Sequence, residues 1–367
     1  MPADTPSMAQ NADGETPPGG MTAEPATGVT AEAVTWAFRL LVGREPDSRE
    51  VEAHRSLPDL DTLRRAFANT WEFFAFYDAM LDGRLTYGMP LFMMRPPADP
   101  SLPWRFEPPT LEQPVSQFCT AAQFDEPAFA EIAEAMGMTT TRSRRNWEQI
   151  WIVSTLATAG LIGPGFQALG FGVGRDRVAA LLASRGVTVI ATDQPDAADA
   201  LRSSGARLAG LFHPEIIQID DFERLVDHRP LDMTAIPPDL DDCFDLCWSV
   251  SALNRLGSLE AGTAFVEASL RPLKPGGVAV HTMEFNLRSD VATADTPNFA
   301  LPRRRDIEAL ALRLLQAGHA VFPLNLHPGC DPLDEEVATV PGGPPRLKQR
   351  HGALVTGAFG LAIRKAG

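Results

Sequence analysis

The spacing of apolar residues changes character several times along the chain, and each change predicts a different element. From Thr30 the positions Val34, Phe38 and Leu41 share one helical face, with Thr30 suited to cap the start and Gly43 to end it. Pro46-Asp47-Ser48 restarts a second helix, and Leu63, Phe67, Trp71 and Phe74 mark the face of a third. The rhythm then fails. "MPLFMMRPPADPSLPWRFEPPT" is rich in proline and reads as an irregular connector. Helical spacing returns in "PAFAEIAEAMGM" and again with Trp147, Trp151, Leu156 and Leu161.

Beyond Phe166 helices and strands alternate. "FQALGFG" reads as a short buried strand, and "VGRDRVAALLASRG" as a helix with Val178, Leu181 and Leu182 inward and Gly186 as its stop. "VTVIATD" is β-branched and reads as a second buried strand. A strand, helix and strand of this length form a right-handed crossover in a parallel sheet. The alternation continues through a strand at "FDLCWSVSAL", a helix at "SLEAGTAFVEASLRPL" and a strand at "AVHTMEFN". "RDIEALALRLLQAGH" adds a helix with Asp306 as its expected N-cap, and "AVFPLNL" and "ALVTGAFGLAIRK" are expected to close the sheet as an antiparallel pair.

The length, 367 residues, is ample for two or three domains. Residues 1–29 are rich in Pro, Gly, Thr and Ala and are expected to be a disordered tail. A small helical domain follows over 30–82, then the connector with its helix over 83–145, then an α/β domain over 146–367. The net charge of −15 makes nucleic acid an unfavourable partner. No apolar run approaches a membrane span, and the N-terminus has no basic or apolar leader, so a cytoplasmic protein is expected. Cys119, Cys243, Cys247 and Cys330 fit no metal-binding spacing and read as free thiols, and no metal is expected.

The chemistry centres on "ALGFGVGRDRVAALLASRGVTVIATDQP", Ala168 to Pro195. Gly170, Gly172 and Gly174 let the backbone turn sharply and admit a ligand where a Cβ would obstruct it. The amides at the start of the next helix are expected to face that ligand. Asp193 ends the following strand, where a carboxylate can accept the hydroxyls of a ribose. A dinucleotide fingerprint needs glycine or alanine at the sixth position, and the two reading frames place Arg175 and Arg177 there. A nicotinamide-dependent oxidoreductase is therefore disfavoured.

The Gly-x-Gly-x-Gly pattern of Gly170, Gly172 and Gly174 resembles the first motif of class I S-adenosylmethionine-dependent methyltransferases. "HRPLDMTAIPPDL" resembles their third-strand region, and the segment from "CFDLCWSVSALNRL" through "LKPGG" to "HTMEF" resembles their fourth and fifth strands. The resemblance runs from about Trp147 to the C-terminus. It implies an α/β fold with a seven-stranded, mostly parallel, doubly wound sheet whose last strand is antiparallel, preceded here by a small all-α domain. It implies S-adenosyl-L-methionine as cofactor, held by Gly170, Phe171, Gly172, Gly174, Asp193, Asp232, Met233 and Ser249. "LLVGREPD" with "LRRAFANTWEF" resembles a short bacterial helical domain of unknown function often found beside glycan-modifying modules. Together these point to O-methylation of a small molecule or glycan, with a non-catalytic binding module of the same fold as the alternative.

Two departures matter. Ala168 stands where an acid is often found, and Arg255 stands where many relatives have histidine. Arginine stays protonated and cannot act as a base, so Arg255 is assigned to recognise an anionic group on the substrate. The catalytic candidates are then His281 and Glu284 at the tip of the fifth strand. The long insert "HPGCDPLDEEVATVPGGPPRLKQRHG" is expected to flank the substrate cleft.

Overall fold

A computed structural model describes residues 28–68, 70, 72–73, 86–194, 204–338 and 346–367, leaving aside the side chains of 204–207. Nearly all of the expected tail, Trp71 and Phe74 on the third helix, and residues 339–345 of the insert lie outside the described residues. The chain divides into two compact units, Met1–Phe76 and Tyr77–Gly367.

The first unit is helical where described. Helix α1, Ala31–Leu41, begins at Thr30, whose hydroxyl accepts the Ala33 N–H. Helix α2, Ser48–Arg55, starts with a capping box between Asp47 and Glu50. Helix α3, Leu60–Ala68, completes a core of Val34, Phe38, Val42, Leu63 and Phe67. Arg44 forks between Glu50 and Glu72.

The second unit is a twisted α/β sheet. Its first short elements are helix α4, Leu91–Met94, strand β1, Trp104–Arg105, and strand β2, Ser116–Phe118. Helices α5, Pro127–Ala135, and α6, Arg144–Thr158, follow. The stretch expected as a connector with one helix thus supplies two strands and two helices. Residues 116–118 are fully buried despite two polar side chains, because Gln117 bonds its own neighbours, the Val115 N–H and the Thr110 carbonyl.

Next come β3, Gln167–Phe171, helix α7, Val178–Ser184, and β4, Thr188–Asp193. Helices α8, Ser204–Leu211, and α9, Ile219–Leu225, lead to β5, Val226–Pro230. Then follow β6, Phe244–Ser249, helix α10, Leu259–Ala268, and the long β7, Leu273–Asn286. A small hairpin, β8, Asp295–Thr296, with β9, Phe299–Ala300, precedes helix α11, Arg304–Gln316. Short strands β10, Ala320–Val321, and β11, Leu324–Asn325, then helix α12, Pro332–Glu335, and β12, Val337–Ala338, lead into β13, Lys348–His351, and β14, Leu354–Arg364.

The strand order is β1-β11-β2-β14-β7-β6-β3-β4-β5. Strands β5, β4, β3, β6 and β7 run parallel, and β14 lies antiparallel against β7 over nine residue pairs from Thr356–Asn286 to Arg364–Val278. This is the mostly parallel sheet with an antiparallel last strand that the sequence implies. Helices α5, α6, α7 and α9 pack one face, and α10 and α11 the other. Period-2 alternation divides β3 accordingly: Ala168 belongs to the first layer, Leu169 and Phe171 to the second.

Two details differ from expectation. The sheet has twelve strands among the described residues, not seven. Its last antiparallel partner is broken: β10 pairs with β14, while β11 runs parallel to β2, which has inserted itself beside β14. Pro323 between β10 and β11 cannot donate to a ladder, which favours the break there. Asp306 lies at the third position of α11 rather than at its cap, and its carboxylate reaches back to the Arg303 N–H.

A buried lysine fixes the long insert to the sheet. Lys348 is only 2 % exposed, and its ammonium donates to the carbonyls of Pro328 and Asp334 and lies 5.0 Å over the Tyr87 ring. The Asp334 carboxylate is 3.9 Å away and also accepts the Ala121 N–H. Burial pulls the Lys348 pKa down to about 8. Removing one member of a buried pair leaves the other uncompensated, so Lys348→Met should destabilise the protein by about 3 kcal/mol. Chemical unfolding checks this; a change below about 0.5 kcal/mol, the range usual for neutral surface substitutions, would show that the lysine holds nothing.

Candidate functional site

The glycine run sits where the parallel strands end. The Thr192 hydroxyl donates to the Gly170 carbonyl at 2.7 Å, and the Val173 N–H to the Thr192 carbonyl at 3.1 Å, so the loop after β3 is stitched to the tip of β4. Gly172 and Gly174 have φ of +61° and +57°, the left-handed region that glycine enters without a Cβ penalty. A Cβ on Gly172 would lie 3.3 Å from Met233 Sδ and 3.5 Å from Ala252 Cβ, so these two side chains lie close over this backbone. The Gly174 N–H points at the Asp193 carboxylate, 3.1 and 3.2 Å from its two oxygens. The structure therefore brings together Gly172, Gly174, Asp193 and Met233 from three separate stretches of sequence.

The other expected ligands are placed differently. Gly170 is demanded by packing: a Cβ there would come within 2.5 Å of the Trp248 ring and of Val173 Cγ1. The Phe171 side chain is fully buried edge-on against Phe265 at 5.2 Å, so only its backbone lines the loop. The Asp232 carboxylate accepts from the N–H and hydroxyl of Thr234, a local turn. Arg255 is exposed in a short 3-10 turn, where its guanidinium bonds to nothing among the described residues.

Nor are the first amides of α7 open to a ligand. Val178 N–H bonds Asp176 Oδ1, and Arg177 N–H bonds Gln149 Oε1. Asp176 also accepts the Trp248 indole N–H at 3.1 Å. This fully buried acid ties the glycine loop to β6.

Both catalytic candidates are held in structural bonds. His281 is fully buried in β7. Its Nδ1 lies 2.8 Å from Ser249 Oγ and its Nε2 3.0 Å from Ser269 Oγ, so both ring nitrogens are engaged within the layer. Burial pushes its pKa down to about 3, and the imidazole stays neutral. Ser249, its partner, is fully buried with it. Glu284 is half-buried with both oxygens engaged: one accepts from Thr356 Oγ1 at 2.9 Å, the other faces Arg144 at 3.4 Å. Its backbone is clamped by Asn254. Its carboxylate links β7 to β14 and to α6.

The titratable groups that stand out are two others. Burial raises Glu148 on α6 and Asp176 each to about pH 7. For Glu148 the Ser251 hydroxyl bond opposes the shift, and for Asp176 the Trp248 and backbone N–H bonds do. The sequence carries a partial signal for Glu148: "NWEQIWIVS" places an acid inside a run whose every residue from Trp147 to Leu156 is buried. Asp176 resembles an ordinary helix cap, and nothing local announces Trp248 as its partner.

These two acids make stability depend on pH. Their folded pKa values lie above the unfolded ones, so their contribution is fully present below the ordinary carboxylate pKa and lost as pH rises through about 7. Between pH 5 and 8 the protein should lose on the order of 3 kcal/mol per group. Urea midpoints at the two pH values check this, and Glu148→Gln should remove its share of the slope; an unchanged slope in that variant contradicts the assignment.

No family model and no curated protein matches the chain. Solved structures do. A 1,6-didemethyltoxoflavin-N1-methyltransferase from Burkholderia thailandensis, with S-adenosylhomocysteine bound, is 16% identical over 67% of this chain and 82% of its own, with a TM-score of 0.36. A SAM dependent methyltransferase from Aquifex aeolicus is 16% identical over 58% and 88%, with a TM-score of 0.32. The cyclase SpnF is 19% identical over 57% and 76%, with a TM-score of 0.35. At such scores the fold rests on the strand order above, and the chemistry on the residues of this chain.

Proposed function

We propose that the chain is an S-adenosylmethionine-dependent methyltransferase. The observation that carries this reading is the meeting of the Gly174 N–H with the Asp193 carboxylate beside Gly172 and Met233, at the carboxyl ends of parallel strands. A nucleoside fits that arrangement. Asp193 would accept the ribose hydroxyls, the Gly172 backbone would admit the ligand closely, and Met233 would pack on the base. When bound, the cofactor supplies a methyl group already activated on a sulfonium. What remains for the protein is to align an acceptor behind it and exclude water. The acceptor is proposed to be an oxygen of a small molecule or glycan, with exposed Arg255 available to an anionic group on it.

Calorimetric titration with S-adenosylhomocysteine tests the reading, with NADH as the control. A micromolar Kd for the first and no heat from the second are expected. The reverse preference would restore the dinucleotide reading, against which Arg177 stands: its side chain is committed to the Met136 carbonyl and to Glu215. A second reading, a binding module without turnover, is favoured by one observation, the engagement of both His281 and Glu284 in structural bonds. It predicts the same cofactor affinity and no methyl transfer in an acceptor screen.

A further inference from the structure

Helix α6 carries a carboxylate into the interior without a counter-ion. Glu148 is 6 % exposed, and among the described residues it forms no ion pair. Its Oε1 accepts the Ser251 hydroxyl at 2.5 Å, and Oε2 takes no hydrogen bond. Arg144, one turn earlier, is committed to Glu284 and Gln349.

The partner hydroxyl is held with unusual care. Ser251 lies two residues past the end of β6, with φ of +50°, which a side chain makes unfavourable. Its N–H donates to both the carbonyl and the hydroxyl of Thr282 on β7, at 3.1 and 3.0 Å. A strained residue kept in place by its surroundings points to function. The next residue of α6, Gln149, holds the Arg177 N–H at the end of the glycine loop. One turn of helix therefore touches the loop and the tip of β6 together.

Building on the methyltransferase reading, we infer that Glu148 receives a cationic group of the cofactor, its ammonium or its sulfonium, and that Ser251 is the positioning residue that aims it. A buried carboxyl with no counter-ion is held largely as the neutral acid at slightly acidic pH. Arg144 and Arg145 on its own helix favour the ion, while Glu284 on β7 opposes it, and the buried Cys119 thiol feels its charge. A cation docking beside it stabilises the ionised form. The carboxyl proton then leaves to solvent, and no covalent bond of the ligand changes.

The test is calorimetry at about pH 6, where the acid is mostly protonated, in two buffers of different ionisation enthalpy. Three probes separate the two cations: S-adenosylmethionine, sinefungin, which carries an amine in place of the sulfonium methyl, and S-adenosylhomocysteine, which keeps the ammonium but has a neutral sulfur. Proton release approaching one per ligand with all three assigns the ammonium. Release with only the first two assigns the sulfonium. Glu148→Gln should abolish that release and weaken the same ligands by about tenfold or more. Glu148→Asp should retain it, and Ser251→Ala should carry it to higher pH by removing a bond that favours the ion. Thermal unfolding of Glu148→Gln confirms that it folds. Equal proton counts and affinities in wild type and Glu148→Gln overturn the inference alone. Failure of all three probes to bind wild type overturns it together with the methyltransferase reading.

Discussion

Asp193→Ala abolishes S-adenosylhomocysteine binding at micromolar concentrations: this is the largest effect expected on ligand affinity. A carboxylate accepting two ribose hydroxyls makes two charge-assisted bonds, each worth about 1.5–3 kcal/mol, so their loss weakens binding by at least about 100-fold. The fold should survive. Asp193 ends β4 at the protein surface side of the loop, with a side-chain exposure of 17 %, and water can satisfy the Gly174 N–H that it now holds. Asp193→Asn separates charge from geometry. It keeps one acceptor oxygen, and about tenfold weakening is expected. Calorimetry on both variants, with a melting curve for each, reads the result. Wild-type affinity in a folded Asp193→Ala protein would remove the ribose assignment, and with it the observation that carries the proposed function.

How far the chain could be read without its structure follows from where each signal lies. The place of Asp193 at a strand end is legible because two local patterns meet there: a β-branched run that reads as a buried strand, and an acid at its end. The crossover, the glycine turn and the antiparallel last strand are likewise written in short periodic stretches. The bonds that hold His281 and Glu284 are not legible in the sequence, because position along a strand says nothing about the layer above it. Period 2 assigns His281 a face of the strand, but only the packing at the end of α10 brings Ser269 to its second nitrogen. Glu284 is claimed by Arg144 and Thr356, 140 and 72 residues away. Glu148 is hidden for the converse reason. The tryptophans mark the helix by their spacing, but spacing does not show that every residue from Trp147 to Leu156, the acid included, is buried. The insertion of β2 into the sheet was not legible at all, since a three-residue strand leaves no period to find.

Gly170→Ala should be the most damaging single methyl group that can be added near the site. The new Cβ would sit 2.5 Å from Cζ2 and 2.7 Å from Cη2 of Trp248, and 2.5 Å from Val173 Cγ1. Trp248 has no room to yield: it is fully buried, and its indole N–H is bonded to Asp176. If the ring shifts, that bond breaks and leaves a buried acid short of a donor. If Val173 shifts, the loop carrying Gly172 and Gly174 moves with it. Overpacking of a close-packed core costs about 1–3 kcal/mol, and the lost buried hydrogen bond adds about 1 kcal/mol or more. A loss of about 3 kcal/mol in urea unfolding is expected, with weaker S-adenosylhomocysteine binding in the fraction that folds. Gly174→Ala is the control, because nothing lies within 4 Å of a Cβ there and only the left-handed φ of +57° is penalised, at about 1–2 kcal/mol. The partner test is Trp248→Phe. Its smaller ring clears the space, so the double variant with Gly170→Ala should be less destabilised than the sum of the two single changes. Strict additivity would mean that the glycine is required for its backbone and not for the tryptophan that lies against it.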